Sequence, residues 1–388
     1  MQDQLMNAFE RVRDFVLKHK KLSIGVCVAL VVLLVWYTIS IFYTYTDYTI
    51  KNDLSMEDSE GSAYESFHNN NIVKYNSDGA FYIKKNGDLI WNEAYDMSSP
   101  GIDISNDYVA LYDRGGTTVF VMNDTGKKGT VSTSRPILTA CVADNGSVAA
   151  LMNQQDVSYL EISDIEGELI ASGELHVENS GIPIDIAFSR DGKKLAVSSV
   201  SVKSGTLQTV IAFYDFSSSG QKREDNLVGN YSFADMVMPQ IKYMSNGNLI
   251  AFGDGEIAIF NDSFEPKLKK EIFPKGTIDS IVYNDDHFGY VGSETNDEGI
   301  TLKKMHVYGE SGWEKLDKAI DDSYTLIYML ENDDVVMLTD KTAVIHGISG
   351  VKKFDGEFEG SIVKILYSGG YKDYIFIQNG MMQEVRLR

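Results

Sequence analysis

The strongest constraint on the fold of this chain is a series of short strand-like runs, from Ile72 onward, that are separated by tight turns. Several of these turns carry Asn or Asp followed by Gly: Asp78-Gly79, Asn86-Gly87, Asn145-Gly146, Asp191-Gly192, Asn246-Gly247 and Asn379-Gly380. Such dipeptides tolerate positive φ and match the twist of the flanking strands, so each indicates a hairpin. The chain has only six prolines, and this region shows no sustained 3.6-residue periodicity. We therefore predict an all-β domain.

The strand-like runs recur as a longer unit. Each unit offers an apolar strand, a turn, a strand with small residues such as LAVSS, a third strand with aromatic residues, and an edge strand. The clearest units start at Ile137, Ile182, Met238 and Thr277, and others start near Gly101, Ser323 and Ser361. The starts lie about 36–55 residues apart, which is the period of a four-stranded blade. The sequence therefore predicts a β-propeller.

The number of blades depends on the two ends of the domain. The segments Ile72–Trp91 and Ser361–Arg388 each hold about three strands. If they share one blade the ring has seven blades, and if each builds its own the ring has eight. In both cases the ends must meet, and we expect Ser361–Arg388 to pair with strands from Ile72–Tyr95. A long β-sandwich or two small β domains are the alternatives, but the regular period favours blades that stack around a ring.

A transmembrane helix is predicted at residues 22–43. The run Leu22–Tyr43 contains no charged residue, and at about 1.5 Å per residue it is long enough to span a hydrocarbon core of roughly 30 Å. Trp36 and several tyrosines crowd its C-terminal end, as in an interfacial aromatic belt. The run exceeds the apolar core of a signal peptide, and no small-x-small cleavage site follows it. We predict an uncleaved signal anchor; a buried helix of a soluble protein is the alternative.

Basic residues around this segment predict its orientation. Only Lys51 lies between the span and Lys74, whereas five basic residues precede the span: Arg11, Arg13, Lys18, Lys20 and Lys21. The positive-inside rule then places the tail, residues 1–21, in the cytoplasm and the large domain outside the cell. Residues 44–63 are acidic with few large apolar groups, which predicts a flexible stalk. The extracytoplasmic propeller is expected to occupy residues 64–388.

The cytoplasmic tail has a pattern of its own. Leu5, Phe9, Val12 and Val16 recur at helical spacing, which is typical of an amphipathic helix on the inner leaflet. Binding of a cytoplasmic partner, or continuation of the transmembrane helix, would explain the same pattern.

Composition excludes some partners. The formal charge is −21 and no basic stripe interrupts the acidity, so a nucleic-acid partner is not expected. The two cysteines, Cys27 and Cys141, fall in the predicted span and in a predicted strand, so we expect no disulfide between them. A domain of this size has a core large enough to fold without one.

The sequence contains no spacing typical of a catalytic, cofactor or metal site. Its histidines are scattered without HxH or HxxxH pairs: His19, His68, His176, His287, His306 and His346. The acidic segments Asn284–Asp286 and Asn296–Gly299 lack the spacing of a calcium loop. No G-x-S-x-G, P-loop or dinucleotide fingerprint is present. We therefore predict no catalytic, cofactor-binding or metal-binding residue, although a triad assembled from distant blades stays open.

Two stretches resemble known propeller repeats. GAFYIKKNGDLIWNEAYD resembles blades of quinoprotein-type propellers, and FSRDGKKLAVSS resembles the SPDGKxLAV strand pair of many bacterial propellers. The order of segments, including PIDIAFSRDGKKLAVSS, IAFYDFSSSGQ and the terminal QEVRLR, resembles a family of membrane-anchored bacterial proteins known only as a domain of unknown function. That resemblance covers nearly everything after Tyr64. It implies a Gram-positive source and a propeller domain, and it carries no activity, cofactor or catalytic residue.

Together these features favour a non-catalytic interaction, scaffold or sensor module of the cell envelope that binds a protein or a glycan. The alternative is an extracytoplasmic hydrolase or lyase whose site is assembled across blades. The longest connections, Val202–Gln208, Ser217–Tyr231 and Ser293–Gly299, are the first candidates for a binding surface. Neutral insertions would give loops of the same length.

Overall fold

The computed structural model describes residues 20, 25, 28–29, 31–32, 43–55, 61–154, 157–176, 180–203, 205–295, 298–321 and 323–388. Within these residues lie 32 strands, arranged in eight four-stranded sheets. Neighbouring strands in every sheet are antiparallel, as in the blades of a propeller. The prediction of an all-β propeller is confirmed, and the number of blades is eight.

The strands follow the chain order blade by blade, except that the first strand, β1 (Tyr48–Ser55), belongs to the last blade. Blade 1 contains β2 (Ala63–Phe67), β3 (Asn71–Tyr75), β4 (Gly79–Ile83) and β5 (Leu89–Ala94), and blade 2 contains β6 (Pro100–Ile104), β7 (Val109–Asp113), β8 (Thr118–Asn123) and β9 (Gly126–Ser132). Blade 3 contains β10 (Ile137–Val142), β11 (Val148–Gln154), β12 (Val157–Ser163) and β13 (Leu169–His176). Blade 4 contains β14 (Ile182–Phe188), β15 (Lys194–Lys203), β16 (Thr206–Asp215) and β17 (Leu227–Ala234). Blade 5 contains β18 (Gln240–Tyr243), β19 (Leu249–Phe252), β20 (Ile257–Phe260) and β21 (Leu268–Ile272), and blade 6 contains β22 (Thr277–Tyr283), β23 (His287–Thr295), β24 (Thr301–Gly309) and β25 (Glu314–Ala319). Blade 7 contains β26 (Leu326–Met329), β27 (Asp334–Leu338), β28 (Thr342–Gly347) and β29 (Lys352–Glu357). Blade 8 contains β30 (Ile362–Gly370), β31 (Asp373–Gln378) and β32 (Met381–Leu387) together with β1. Two short 3₁₀ helices, Gly220–Lys222 and Glu224–Asn226, lie between β16 and β17.

The predicted repeat units coincide with the blades. Blades 3, 4 and 6 begin at Ile137, Ile182 and Thr277, as the repeats indicate. The Asn-Gly turns lie between antiparallel strands, and Gly146 and Gly247 have φ of 82° and 80°. A side chain at these glycines would be strained, which is why Gly occupies the turn.

The ring is closed by β1, which pairs with β32 and supplies the outermost strand of blade 8. Two expectations are therefore wrong. The expected stalk, residues 44–63, is contradicted in its described part, because Tyr48–Ser55 is a strand of the propeller and Ala63 starts another. The segment Ser361–Arg388 does pair with a strand from the other end of the chain, but that strand is Tyr48–Ser55 and not one from Ile72–Tyr95. An outermost strand is largely solvated, so it does not require the apolar alternation by which strands are recognised.

Hydrophobic clusters join every pair of neighbouring blades among the described residues. The cluster between blades 8 and 1, for example, contains Tyr64 and Ile72 of blade 1 with Leu366 and Ile375 of blade 8. Seven further clusters fill the other blade-to-blade interfaces. Because each blade covers one face of the next, no blade buries its own core alone.

The two faces of the ring differ in their turns. The antiparallel order places the turns between the first and second strands and between the third and fourth strands of each blade at one face, here called the proximal face. The turns between the second and third strands and the connections between blades lie at the opposite face, here called the distal face.

The chain reaches the ring from the proximal face. Tyr45 forms a parallel bridge with Phe354 in β29, its N–H donates to the Lys353 carbonyl at 2.9 Å, and its own carbonyl accepts from the Asp355 N–H at 2.9 Å. As the fourth strand of its blade, β29 runs from the proximal to the distal face. A segment parallel to it must run in the same direction.

Of the predicted transmembrane span, residues 22–43, the structure describes only residues 25, 28–29, 31–32 and 43. Of the helices that the structure does describe, none has the length and apolarity needed to cross a membrane. The predicted tail, residues 1–21, contributes only residue 20 to the described part of the chain.

Candidate functional site

The first strands of the eight blades surround a central channel that holds two connected cavities. One of about 300 Å³ is lined by β6, β10, β14, β18 and β22, and one of about 520 Å³ also reaches β2, β26 and β30. Residues that line both cavities include Asp103, Gln240, Lys242 and Tyr283. The channel is the first candidate for a ligand site, because propeller cavities of this size accept small molecules.

Two aspartates occupy equivalent places in the channel. Asp103 lies within Ile102–Ile104 of β6, and Asp185 lies within Ile184–Ile186 of β14, so each sits in the same Ile-Asp-Ile sequence. The Asp103 carboxylate accepts the Val142 N–H at 2.8 Å. The Asp185 carboxylate makes the same kind of hydrogen bond, because it accepts the Ile241 N–H at 2.8 Å. Each aspartate therefore joins the first strand of its blade to the first strand of the next blade.

The channel environment shifts the titration of these groups. Burial raises the pKa of Asp185 to about 7, against the lowering effect of the Ile241 N–H bond. Burial likewise raises the pKa of Asp103. Burial acts to lower the pKa of Lys242, but the nearby Asp103 and Asp285 carboxylates outweigh it and the pKa is raised. The lysine is thus kept charged between acidic groups that are costly to ionise.

The other half of the channel holds an ion pair between a lysine and a glutamate. Lys364 Nζ lies 2.9 Å from the Glu65 carboxylate and 4.4 Å from the centre of the Tyr328 ring. The Tyr328 hydroxyl donates to the Ile365 carbonyl at 2.9 Å. These contacts join blades 1, 7 and 8, so this part of the channel is also occupied with blade-to-blade contacts.

Among the described residues, one group has the composition of a metal site. His306, Glu314 and Asp317 lie together on blade 6. Both ring nitrogens of His306 face carboxylates, with Nδ1 3.0 Å from Glu314 and Nε2 2.9 Å from Glu294. Lys304 Nζ lies 3.2 Å from Glu294 and 3.1 Å from Asp317. In these contacts both His306 nitrogens and the Lys304 ammonium already engage the carboxylates, so the absence of a metal site stays the prediction.

The acidic segment Asn284–Asp286 of blade 6 contacts other blades. The Asn284 side chain donates to the Leu330 carbonyl of neighbouring blade 7 at 2.9 Å, and Asp285 pairs at 2.7 Å with Arg190 of blade 4, two blades away. The second acidic segment, Asn296–Gly299, includes Asn296 and Asp297, which lie outside the described residues.

An apolar strip lies at the distal face on blade 4. Ile182 stands opposite Val200 in the β14–β15 register, and Val202 stands opposite Leu207 in the β15–β16 register. Opposed residues share one side of a sheet, as do residues two apart on a strand, so these four side chains form one strip, here called the apolar strip. Val202 is 70% exposed, Ile182 52% and Leu207 38%.

The apolar strip continues past the end of β14. β14 pairs with β15 only as far as Val200, whereas β15 continues to Lys203 and returns in β16 from Thr206. The three further residues of β15 span about 10 Å, at roughly 3.3 Å per residue. On the other side, the chain after β17 accompanies β16 as far as Leu207, whose carbonyl accepts the Asp235 N–H at 2.8 Å. The sequence had marked Val202–Gln208 as a long loop, and the structure makes it the end of a regular hairpin.

The loop Ser217–Tyr231 lies at the proximal face and holds the two 3₁₀ helices and the start of β17. Its residues Asp225, Asn226 and Leu227 line a groove of about 350 Å³ between blades 3 and 4. Of the third predicted loop, Ser293–Thr295 belongs to β23.

The fold and the site define an eight-bladed β-propeller with a polar channel and an exposed apolar hairpin. Residues 42–387 match the model of a family of unknown function, DUF5711, and the chain belongs to that family. The resemblance to a propeller family known only as a domain of unknown function is thereby confirmed. No curated protein sequence matches the chain.

Solved propellers share the fold. BamB from Moraxella catarrhalis superposes with a TM-score of 0.53 at 12% identity, over 88% of this chain and 100% of that chain. Apo AztD from Citrobacter koseri gives a TM-score of 0.51 at 11% identity, over 77% of this chain and 87% of that chain. At such identities the likeness concerns the fold alone.

Proposed function

We propose that this protein is a membrane-anchored interaction module of the cell envelope, with its propeller outside the cell, and that it binds a partner protein through the apolar strip. The observation that carries the proposal is the exposure of Val202 and Leu207 at the end of a hairpin that continues past the first strand of its blade. Exposed apolar groups on a rigid scaffold are typical of protein-binding surfaces. The membrane anchor is the uncharged run Leu22–Tyr43.

Aliphatic side chains favour a protein over a glycan. Burial of exposed Val, Leu and Ile on a partner removes apolar surface from water, at roughly 25 cal/mol for each Å². The strip is already held by the β14–β15 and β15–β16 ladders, so little conformational entropy is lost when a partner binds. We therefore expect a protein partner, and the test described below would also detect a glycan ligand.

An extracytoplasmic hydrolase or lyase is the second candidate function. Its support is the pKa of about 7 for Asp185 beside a charged lysine, since a general base works best near the ambient pH. The hydrogen bonds of Asp185 and Asp103 to the next blade give these two residues a structural role, because they link neighbouring blades. The interaction module therefore ranks first.

The proposal is tested by photo-crosslinking in intact cells. A photoreactive amino acid replaces Val202 in the full chain, and control chains carry it at Leu169 and Ile170, which are also more than half exposed but lie at the proximal face. Protein adducts at position 202, absent at 169 and 170, are expected. Equal adducts at all three positions would indicate random encounters, and adducts that a glycosidase removes would indicate a glycan.

A further inference from the structure

The path of residues 43–45 determines which face of the propeller is turned toward the proposed membrane anchor. Thr44 Oγ1 donates to the Lys352 carbonyl at 2.8 Å, at the proximal end of β29. The next residue, Tyr45, is 7% exposed and belongs to the hydrophobic cluster between blades 7 and 8. The chain is therefore bound to the ring from Thr44 onward.

The predicted transmembrane helix ends at Tyr43, one residue before Thr44. A single residue reaches at most about 3.6 Å, so no spacer separates the end of the predicted span from the ring. Because the chain arrives at the proximal end of β29, the proximal face is the one that turns toward the anchor.

Two exposed aromatic residues lie at this face on the blades that flank blade 7. Trp313, in the β24–β25 turn of blade 6, is 75% exposed, and Tyr371, in the β30–β31 turn of blade 8, is 50% exposed. Each has a lysine over its ring: Lys270 Nζ lies 5.5 Å from the Trp313 ring, and Lys353 Nζ lies 4.7 Å from the Tyr371 ring. Amphipathic rings with nearby lysines are the side chains that favour the headgroup region of a bilayer.

We infer that the proximal face rests on the outer surface of the membrane, with Trp313 and Tyr371 among the lipid headgroups. This inference rests on the membrane anchor of the proposed function. The full chain has a net charge of −21, which includes the basic tail, so the acidic propeller has no general attraction to anionic lipids. The tether and the two rings therefore hold it there. The apolar strip, at the distal face, then points away from the membrane toward partners.

The inference is tested with the full chain reconstituted in phosphatidylcholine vesicles that contain a headgroup-labelled nitroxide lipid. A fluorophore is attached to Ser311→Cys beside Trp313, or to Val202→Cys at the distal face, in chains that also carry Cys27→Ser; the native Cys141 is buried. We expect the nitroxide to quench the fluorophore at position 311 and not at position 202. The difference should persist in high salt, because screened charges do not cause it.

A second variant separates the tether from the ring. Insertion of about ten Gly and Ser residues between Tyr43 and Thr44 gives a flexible linker and should reduce the quenching at position 311. Equal quenching at positions 311 and 202, in protein that stays with the vesicles after an alkaline wash, overturns the orientation and leaves the anchor intact. Release of the protein by the wash overturns the anchor and the orientation together.

Discussion

Tyr48 lies directly opposite Leu387 in the β1–β32 register, so the two ends of the propeller form one seam. Ion pairs reinforce the seam, since Lys51 Nζ lies 2.8 Å from Asp373 and the Arg388 guanidinium lies 2.6 Å from Asp47. The Arg388–Asp47 pair is exposed at both partners and contributes little, whereas Asp373 of the other pair is buried. The strand ladder supplies the continuous contact along the seam.

Removal of β1 should destabilise the whole ring. A domain that begins at Gly61 lacks the outermost strand of blade 8 and leaves β32 as an unpaired edge, whereas a domain that begins at Tyr43 retains the seam. The shorter domain is expected to melt at a lower temperature in a single transition, because each blade packs on its neighbours. Identical thermal midpoints for the two domains would mean that β1 does not close the ring.

Loss of the buried Asp334 carboxylate should be costly. Its side chain is 1% exposed, pairs with Lys353 Nζ at 2.7 Å and accepts from the Tyr374 hydroxyl at 2.7 Å, which joins blade 7 to blade 8. Asp334→Ala leaves Lys353 without its partner in a buried site, so the free energy of unfolding should fall by about 3–5 kcal/mol. Asp355→Ala, which removes the exposed pair with Lys352, should cost about 1 kcal/mol or less. Denaturant unfolding of both variants measures the contrast, and equal losses would contradict it.

The channel should make stability depend on pH. Because the pKa of Asp185 is raised to about 7 in the folded protein, the folded state binds a proton that the unfolded state releases near pH 4. The contribution of this group to stability therefore decreases as pH rises from about 4 to about 7. Asp185→Asn removes the cost of ionisation, so its melting temperature relative to the unaltered protein should be higher at about pH 8 than at about pH 5.

The control for this prediction is Asp279→Asn, an exposed aspartate on the first strand of blade 6. It should shift the melting temperature equally at both pH values. A constant shift for Asp185→Asn as well would show that Asp185 ionises in the folded state as it does in water.

The propeller should be reachable from outside the cell. Protease added to intact cells or protoplasts is expected to remove the domain after Tyr45 and to spare a tag at the N-terminus, as the basic residues before the span predict. A degraded tag with an intact propeller would reverse the orientation.

The blades were predictable because their second strands share a composition of small and branched apolar side chains. In LAVSS of β15, Leu195, Ala196 and Val197 are all buried, since small and branched side chains fill the narrow space between blades. The Asn-Gly and Asp-Gly turns fixed the hairpins. β1 was not predictable, because a solvated outermost strand such as YTIKNDLS has no apolar side that spans its length.

The channel residues could be found only in three dimensions. Asp103 and Asp185 contact strands that lie about 40–55 residues further along the chain, and a single sequence gives no sign of such contacts. The repeated Ile-Asp-Ile was the available signal, since an aspartate between two apolar residues of a first strand is unusual. The segment Val202–Gln208 is a candidate binding loop in the sequence, but the sequence does not predict that Val202 and Leu207 face each other on paired strands.

Binding of a partner protein by the apolar strip can be tested by comparing two chains that differ at one residue. A photoreactive amino acid at Leu207 is placed in two full-length chains, one with Val202 intact and one with Val202→Glu. A charge at this exposed position leaves the core unchanged but must be desolvated when a partner covers it. We expect a protein adduct that forms with Val202 and is lost with Val202→Glu while the thermal midpoint stays the same. An adduct of equal yield in both chains would mean that the apolar strip does not bind the partner.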